Sequence, residues 1–341
     1  MKRYLWIFAV LPFLWSCIAE DSSACPQPRG VSVRMSVCPD PMTAVPRAAD
    51  EEALRDLNFY LLDADGNVVQ HRYQSSPTLR FECLPGNYLL RIAANMGRDT
   101  GDSPAWENLA VTHADDYDTL PMAYEGEVSI PSSDETVTLP TVEVQRVVAK
   151  VTYNISVAPD AGDIRLHSVQ PVNLPARMPV FDPGLRAAEY TAGEIVGSSS
   201  QTLTGTFYML PNLQGEVPSI ADQRDKGPAN APADATFLRI RALRGSKVLD
   251  YYIYPGGNNT SNFDIRANTH YRLDIMIRGD AEVDTRIRAY TVEVLCTPEA
   301  ALSNGFLLER QPMRLTLRLG GAYEETGVEA FVELKTGDVR Y

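Results

Sequence analysis

The stretch VVAKVTYNISV, residues 147–157, decides the fold because its side chains alternate between two chemically different faces. One face is apolar and carries Val147, Ala149, Val151, Tyr153, Ile155 and Val157. The other is mostly polar and carries Val148, Lys150, Thr152, Asn154 and Ser156. A period of two predicts a β-strand with one face on a core and the other in water.

The same alternation recurs in residues 31–37 and 271–277, where every second side chain is apolar. Turn-forming residues at 63–67, 84–87 and 244–246 each separate two strand-like runs. Each of these turns predicts a β-hairpin.

Helical patterns are nearly absent, and residues 50–57 form the only short segment that reads as a helix. Many short strands without strand–helix alternation predict an all-β protein made of β-sandwiches. At roughly 150 residues per domain, the length predicts two tandem sandwiches. The expected division is a signal peptide (1–16), a tether (17–24), an N-terminal β-sandwich (25–143), a C-terminal β-sandwich (144–284) and a C-terminal β extension (285–341).

The N-terminus predicts export. Lys2 and Arg3 precede an apolar stretch, residues 4–15, that is shorter than the roughly 20 residues a membrane span needs. This pattern is typical of a secretory signal. Ser16-Cys17 resembles a bacterial lipobox, which implies cleavage before Cys17, lipidation of that residue and anchoring in the outer membrane. An ordinary signal peptide with a bystander cysteine remains the alternative.

The negative net charge makes nucleic acid an unfavourable partner. The formal net charge of −13 disfavours nucleic acid, because most nucleic-acid affinity comes from neutralising phosphates.

Four further cysteines, Cys25, Cys38, Cys83 and Cys296, would lie where disulfides persist. They allow three complete pairings, and Cys38 with Cys83 is favoured because each ends a strand-like run. No two lie at CxxC spacing, so a zinc site is not expected.

No catalytic or metal-binding pattern stands out. Residues 63–67 begin like a calcium loop, but Val68 and Gln74 replace the required glycine and glutamate. The four histidines fit no metal spacing, and no nucleophile elbow surrounds the serines at 198–200. We therefore expect no catalytic residue, no metal, no cofactor and no enzymatic activity.

Several segments together resemble the Mfa-like and FimB-like fimbrial subunits of Bacteroidales, the fimbrillin family. They are NFYLLDADGN (58–67) with LPGNY (84–88), RVVAKV (146–151), FYMLPN (207–212), YIYPG (252–256) and RANTHYRL (266–273). The resemblance spans roughly residues 20–290.

The resemblance implies two transthyretin-like β-sandwiches on a surface-exposed lipoprotein that joins other fimbrial subunits by donor-strand exchange. It also implies a protease cut in the first loop, where Arg47 matches and Ala48 would become the new N-terminus. An ordinary loop arginine is the alternative. Anchor, shaft and tip roles stay open, as does adhesion to a host surface or other bacteria. Losing the apolar strand 31–37 would open a groove that a strand from another subunit could fill.

Two other classes of function compete with this one. A surface glycan-binding lipoprotein of a polysaccharide-uptake system would need an exposed aromatic platform, for which Trp106 is the remaining tryptophan after the signal. A hydrolase on a β-scaffold would need two close carboxylates, and the sequence selects no such pair.

Overall fold

The computed structural model describes residues 29–40, 49–182, 184–198, 200–245, 247–279, 286–298 and 313–321. In this part of the chain the only helical segments are two 3₁₀ turns, Ala49–Glu52 and Gln223–Asp225. The predicted all-β class is therefore confirmed. The predicted helix over 50–57 is wrong, because one 3₁₀ turn leads through an extended link into a strand at Leu57. No helix within the described ranges is long and apolar enough to cross a membrane.

The strands are numbered in chain order. Strands β1–β9 are Val31–Pro39, Leu57–Leu62, Val68–Gln74, Thr78–Cys83, Gly86–Ala94, Ala110–Thr112, Met122–Ile130, Val137–Thr138 and Val142–Arg146. Strands β10–β21 are Ala149–Val157, Arg165–Val172, Leu174–Pro175, Arg177–Pro179, Tyr190–Thr191, Val196–Gly197, Thr202–Met209, Phe237–Arg244, Lys247–Ile253, His270–Ile277, Ile287–Pro298 and Met313–Gly321.

The first strands form one hydrogen-bonded path in the order β3-β2-β5-β7-β9-β1-β4, with β8 beside β1. The path folds over at β7 and β9, which share only the pairs Met122↔Arg146 and Ala123↔Gln145. As a result, β2 and β4 face each other although they are far apart in the path. The rings of Phe59 and Phe81 lie 4.9 Å apart between these strands. Both layers contribute to a single buried cluster, here called the N-terminal core.

The later strands form two more large sheets, besides the two-stranded pairs β12–β14 and β6–β13. Strand β10 lies between β16, which is antiparallel to it, and β19, which is parallel. The other sheet has the order β15-β11-β17-β18-β20-β21. Side chains from both sheets meet in a second cluster, the C-terminal core, which includes Tyr153, Ile155, Leu166, Val169, Leu238, Ile240 and Leu249. The alternation predicted for residues 147–157 is confirmed over 149–155, where every second side chain is buried. Val148, predicted on the polar face, is buried as well.

Two of the three predicted hairpins are confirmed: β2 pairs with β3, and β17 pairs with β18. The prediction at residues 84–87 is wrong. There β4 pairs with β1, whereas β5 pairs with β2 and β7, so the turn carries the chain from one layer to the other. Apolar residues of β4 and β5 consequently reach the N-terminal core from opposite sides.

Strand β20 runs past the end of its sheet. It pairs with β18 from Tyr251↔Ile287 to Lys247↔Thr291, where β18 begins. Among the described strands, the part of β20 from Val292 to Pro298 pairs with β21 alone. These two strands form a ribbon that extends beyond β18.

Candidate functional site

Strand β1 lies between partners from much later in the chain. It pairs antiparallel with β4, from Val31↔Cys83 to Ser36↔Thr78. Its other edge runs parallel to β8 and then to β9. Parallel strands cannot be joined by a tight hairpin, and on this edge β1 pairs with segments that follow it much later in the chain. We call the surface that β1 covers, formed by β4, β8, β9 and the N-terminal core, the β1 groove.

Four alternate side chains of β1 fill this groove. Val31, Val33, Met35 and Val37 are all buried, with exposures of 2%, 0%, 1% and 4%. At about 1.5–3 kcal/mol for each fully buried side chain, their contribution is roughly 6–12 kcal/mol, an upper estimate. That amount is comparable to the whole stability of an ordinary domain, about 5–15 kcal/mol. The groove therefore has to be filled by β1 or by an equivalent strand.

Asp40 fixes the end of β1 through three polar contacts. Its backbone N–H donates to the carbonyl of Val144 at 2.8 Å. Its own carbonyl accepts from Nη1 of Arg146 at 3.0 Å. Its carboxylate Oδ2 accepts from Nδ2 of Asn268 at 2.6 Å. The strand thus ends at a defined polar stop.

Arg146 donates hydrogen bonds to residues on both sides of the segment 41–48, to Asp40 before it and to Glu51 after it. Its side chain is buried, and Nε and Nη2 donate to the carbonyl of Glu51 at 3.1 and 2.9 Å. Nη1 also donates to Oδ1 of Asn268 at 3.3 Å. Asn268 has a φ of 52°, a left-handed conformation that asparagine tolerates better than most residues. We call Asp40, Glu51, Arg146 and Asn268 the Arg146 anchor.

The carboxylate of Glu51 strengthens the downstream half of the Arg146 anchor. It accepts from Nζ of Lys150 at 2.6 Å and from the hydroxyl of Tyr208 at 2.7 Å. Burial alone raises the pKa of this carboxyl, but those two hydrogen bonds and the charges of Lys150 and Arg146 outweigh it, so the pKa is lowered. Burial and the hydrogen bond to Glu51 raise the pKa of Tyr208, which remains a neutral donor.

The N-terminal core has a cleft beside β1. A cavity of about 630 Å³ opens where β7 and β9 diverge, and Met35, Val128 and Val142 are among its lining residues. Asp40 and Arg146 also reach it. This edge of the β1 groove is therefore approachable from outside the sheet.

Three predicted site residues, Cys17, Arg47 and Ala48, lie outside the described residues. The predicted Cys38–Cys83 disulfide is wrong, since both residues are free cysteines. Cys83 pairs with Val31, at the opposite end of β1 from Cys38. Their separation is roughly 20 Å along the strand, whereas a disulfide needs Cα atoms within about 7 Å.

Trp106 does not form a free aromatic platform. Its ring is half-buried against the N-terminal core and meets Tyr60 and Phe181 edge-on, at 5.0 and 5.6 Å between centroids. The guanidinium of Arg91 lies over the ring, 4.5 Å from its centroid. A sugar would have to displace this cation to stack there.

Residues 63–67, which begin like a calcium loop in sequence, form a hairpin turn in the structure. Oδ1 of Asp63 accepts from the backbone N–H of Asp65 and Asn67 at 3.0 and 2.8 Å, which closes the β2–β3 hairpin. Within the described ranges, no group of three histidine, cysteine or acidic side chains could hold a metal ion.

Sequence reasoning identified only part of this site. The RVVAKV segment includes Arg146 and Lys150, and the alternation identified β1. The RANTHYRL segment includes Asn268, but its contact with Arg146 was not predicted. Glu51 was missed because it meets Arg146 across about a hundred residues of chain, with no local pattern to mark it.

The chain shares its fold with solved fimbrial and adhesion proteins. The tip fimbrial protein Mfa3 from Porphyromonas gingivalis, solved with a C-terminal truncation, is 16% identical with a TM-score of 0.50; the match covers 85% of this chain and 99% of that one. A candidate cell adhesion protein from Bacteroides eggerthii is 12% identical with a TM-score of 0.53, covering 86% and 96%. The predicted resemblance to Mfa-like fimbrial proteins is confirmed at the level of the fold.

In sequence, the family described as "Domain of unknown function (DUF4906)" matches residues 207–275, which run from β16 into β19. No curated protein matches the chain.

Proposed function

We propose that this chain is a surface fimbrial subunit that joins other subunits through the β1 groove. The observation that carries the proposal is the placement of β1. One strand fills the groove with four buried side chains, and the segment 41–48 with Arg47 follows it directly. The fold shared with a protein named as a tip fimbrial protein supports the same function.

In this proposal a protease cuts after Arg47 and β1 then leaves the groove. The new N-terminal segment stays attached, because Glu51 keeps its contacts with Lys150, Tyr208 and Arg146. Asp40 leaves with β1, so Asn268 Nδ2 and Arg146 Nη1 lose the two acceptors that Asp40 supplies. A strand from another subunit then enters by β-augmentation.

Export and anchoring are part of the same proposal. The chain would be lipidated at Cys17, carried to the outer membrane and held there until the cut after Arg47. We propose two sandwich domains followed by the extension 285–341. The first domain boundary is best placed after Arg146, because β9 belongs to the path that contains β1. The shared fold favours a structural subunit over an enzyme.

The test is to treat the purified full chain with an arginine-specific protease and observe polymer formation by electron microscopy. Arg47→Ala should block both release of β1 and polymerisation. Arg186→Ala is the matched control, since Arg186 is exposed and is also followed by two alanines. Polymerisation of Arg47→Ala at the wild-type rate would overturn the proposal.

A further inference from the structure

We propose that a cleft between β18 and β19, here called the basic cleft, binds an acidic oligosaccharide that carries carboxylate or sulfate groups. The basic cleft runs along β19 and has a volume of about 790 Å³. Ligand sites in proteins usually measure about 300–1,000 Å³, so this volume is sufficient for several sugar units. None of the described residues that line it belongs to β1–β9, so the basic cleft lies outside the β1 groove.

The charge of the basic cleft is opposite to that of the whole chain. Its basic lining side chains are Arg224, Lys226, Arg272, Arg278 and Arg286. Among the described lining residues, Asp274 alone is acidic. The whole chain, by contrast, carries a formal net charge of −13. A cleft lined mainly by one sign of charge concentrates ligands of the opposite sign, so the basic cleft favours an anion.

Two arginines of the basic cleft are available to a ligand. Arg224 is already paired with Asp222 at 2.6 Å. Within the part of the chain that the structure describes, the guanidinium groups of Arg272 and Arg278 make no ion pair or hydrogen bond, and both residues are exposed. Six residues of extended chain separate them, which corresponds to about 20 Å. A chain with several anionic groups can reach both forks of N–H donors, whereas one small anion cannot.

Lys226 adds a buried positive charge to the lining of the basic cleft. It is 3% exposed, and its Nζ donates to the carbonyls of Asn258 and Asn262 at 2.8 and 2.7 Å. A Cβ on Gly256 would overlap the Asn262 carbonyl, so this loop closes around the lysine only with glycine there. No acidic side chain of the described residues pairs with the ammonium, and burial lowers its pKa to about 8. A buried charge without a counter-ion is costly, so an anion in the cleft would stabilise it.

Two amide side chains at the basic cleft suit the hydroxyl groups of a sugar. Gln223 and Asn259 line the cleft and are exposed. Neither side chain makes a hydrogen bond within the described ranges. An amide both donates and accepts hydrogen bonds, as a sugar hydroxyl does. The cleft therefore offers groups for the neutral part of an acidic sugar as well as for its charge.

The edge of β19 is protected against a further strand. Among the described strands, β19 pairs with β10 alone, so its other edge is open. The exposed side chains of Arg272 and Asp274 place charges along this edge. Charged side chains on an edge strand discourage pairing with another strand. An extended peptide is therefore a less favourable occupant than a saccharide, which does not have to extend the sheet.

The experiment measures binding of defined anions to the full, uncut chain by isothermal titration calorimetry at low ionic strength. The probes are an oligogalacturonate, its uncharged methyl ester, a sulfated heparin fragment and a glutamate peptide of matched charge. The cleft variant is Arg272→Glu with Arg278→Glu. The control is Arg98→Glu with Arg186→Glu, which changes the net charge equally at two exposed arginines outside the basic cleft. Lys226 is left intact because it holds the loop at Asn258 and Asn262.

We expect wild type to bind the oligogalacturonate at least about tenfold more tightly than the methyl ester, which has the same skeleton without the charge. The cleft variant should lose at least about tenfold in affinity, and the control less than about twofold. Tighter binding of the heparin fragment than of the oligogalacturonate would identify sulfate as the preferred anion, and the reverse order would identify carboxylate.

Four results would overturn this inference. The first is that neither acidic saccharide binds wild type. The second is equal affinity for the oligogalacturonate and its methyl ester, and neither of these two results depends on a variant that must fold. The third is an equal loss of affinity in the cleft variant and the control, which would mean that the overall charge and not the basic cleft attracts the anion. The fourth is tighter binding of the glutamate peptide than of both saccharides, which would identify an acidic peptide as the ligand.

Discussion

Replacing Arg146 with lysine should destabilise the protein although the charge is kept. The guanidinium donates from three nitrogens to the Glu51 carbonyl, the Asp40 carbonyl and the amide oxygen of Asn268. An ammonium is a compact donor that cannot reproduce this fork. At least one buried carbonyl then loses its charged partner, at about 1.5–3 kcal/mol for each such bond. We expect a loss of about 2–4 kcal/mol.

Urea unfolding at pH 7, followed by far-ultraviolet circular dichroism, measures this change. Arg34→Lys is the control, because Arg34 is an exposed arginine on β1 and its replacement should alter stability by less than about 0.5 kcal/mol. Arg146→Lys should also release β1 faster once the segment 41–48 is cut. A free energy of unfolding for Arg146→Lys within about 0.5 kcal/mol of wild type would refute the role given to the Arg146 anchor.

Three further predictions concern buried groups. Val33→Asp places an unpaired charge in the N-terminal core and should cost at least about 3 kcal/mol in urea unfolding, whereas Ser32→Asp, on the exposed face of β1, should change little. Glu51→Gln should lower stability at neutral pH. Because folding lowers the pKa of the Glu51 carboxyl, its contribution is complete above the unfolded pKa of about 4.3 and is lost as pH falls through the folded pKa. The gap in stability between wild type and Glu51→Gln should therefore shrink as pH falls below that value, and a constant gap would contradict this. Burial lowers the pKa of His113 despite the opposing charge of Asp115, so wild type should lose stability as pH falls below about 6.5. In thermal unfolding, the melting temperature of His113→Gln should fall less over the same pH range. Equal slopes of melting temperature against pH for the two proteins would contradict this role of His113.

The sequence predicted the strands better than it predicted their partners. Alternation identified β1 and β10 because one face of each meets a core, and that constraint is local. The turn at 84–87 looked like a hairpin because turn residues show where a chain bends, not which sheet the next strand joins. The Cys38–Cys83 prediction failed for the same reason, since antiparallel pairing places the ends of the two runs far apart.

In the candidate site, too, single residues were easier to predict than the contacts between them. Arg146, Lys150 and Asn268 lie in local segments that resemble a known family, but the contacts between them could not be predicted. Glu51, the shared partner of Arg146 and Lys150, lies in a 3₁₀ turn about a hundred residues earlier, and Asn268 lies more than a hundred residues later. Contacts of this kind are made only when distant strands assemble, so no pattern in the sequence marks them.

The most direct test of strand exchange is the N-terminal sequence and intact mass of the protein recovered from isolated fimbriae. The proposal predicts a chain that begins at Ala48, without β1 and without lipid. A chain in fimbriae that begins at an acylated Cys17 and still contains residues 31–40 would contradict it, because the β1 groove would then never have been open to a second subunit.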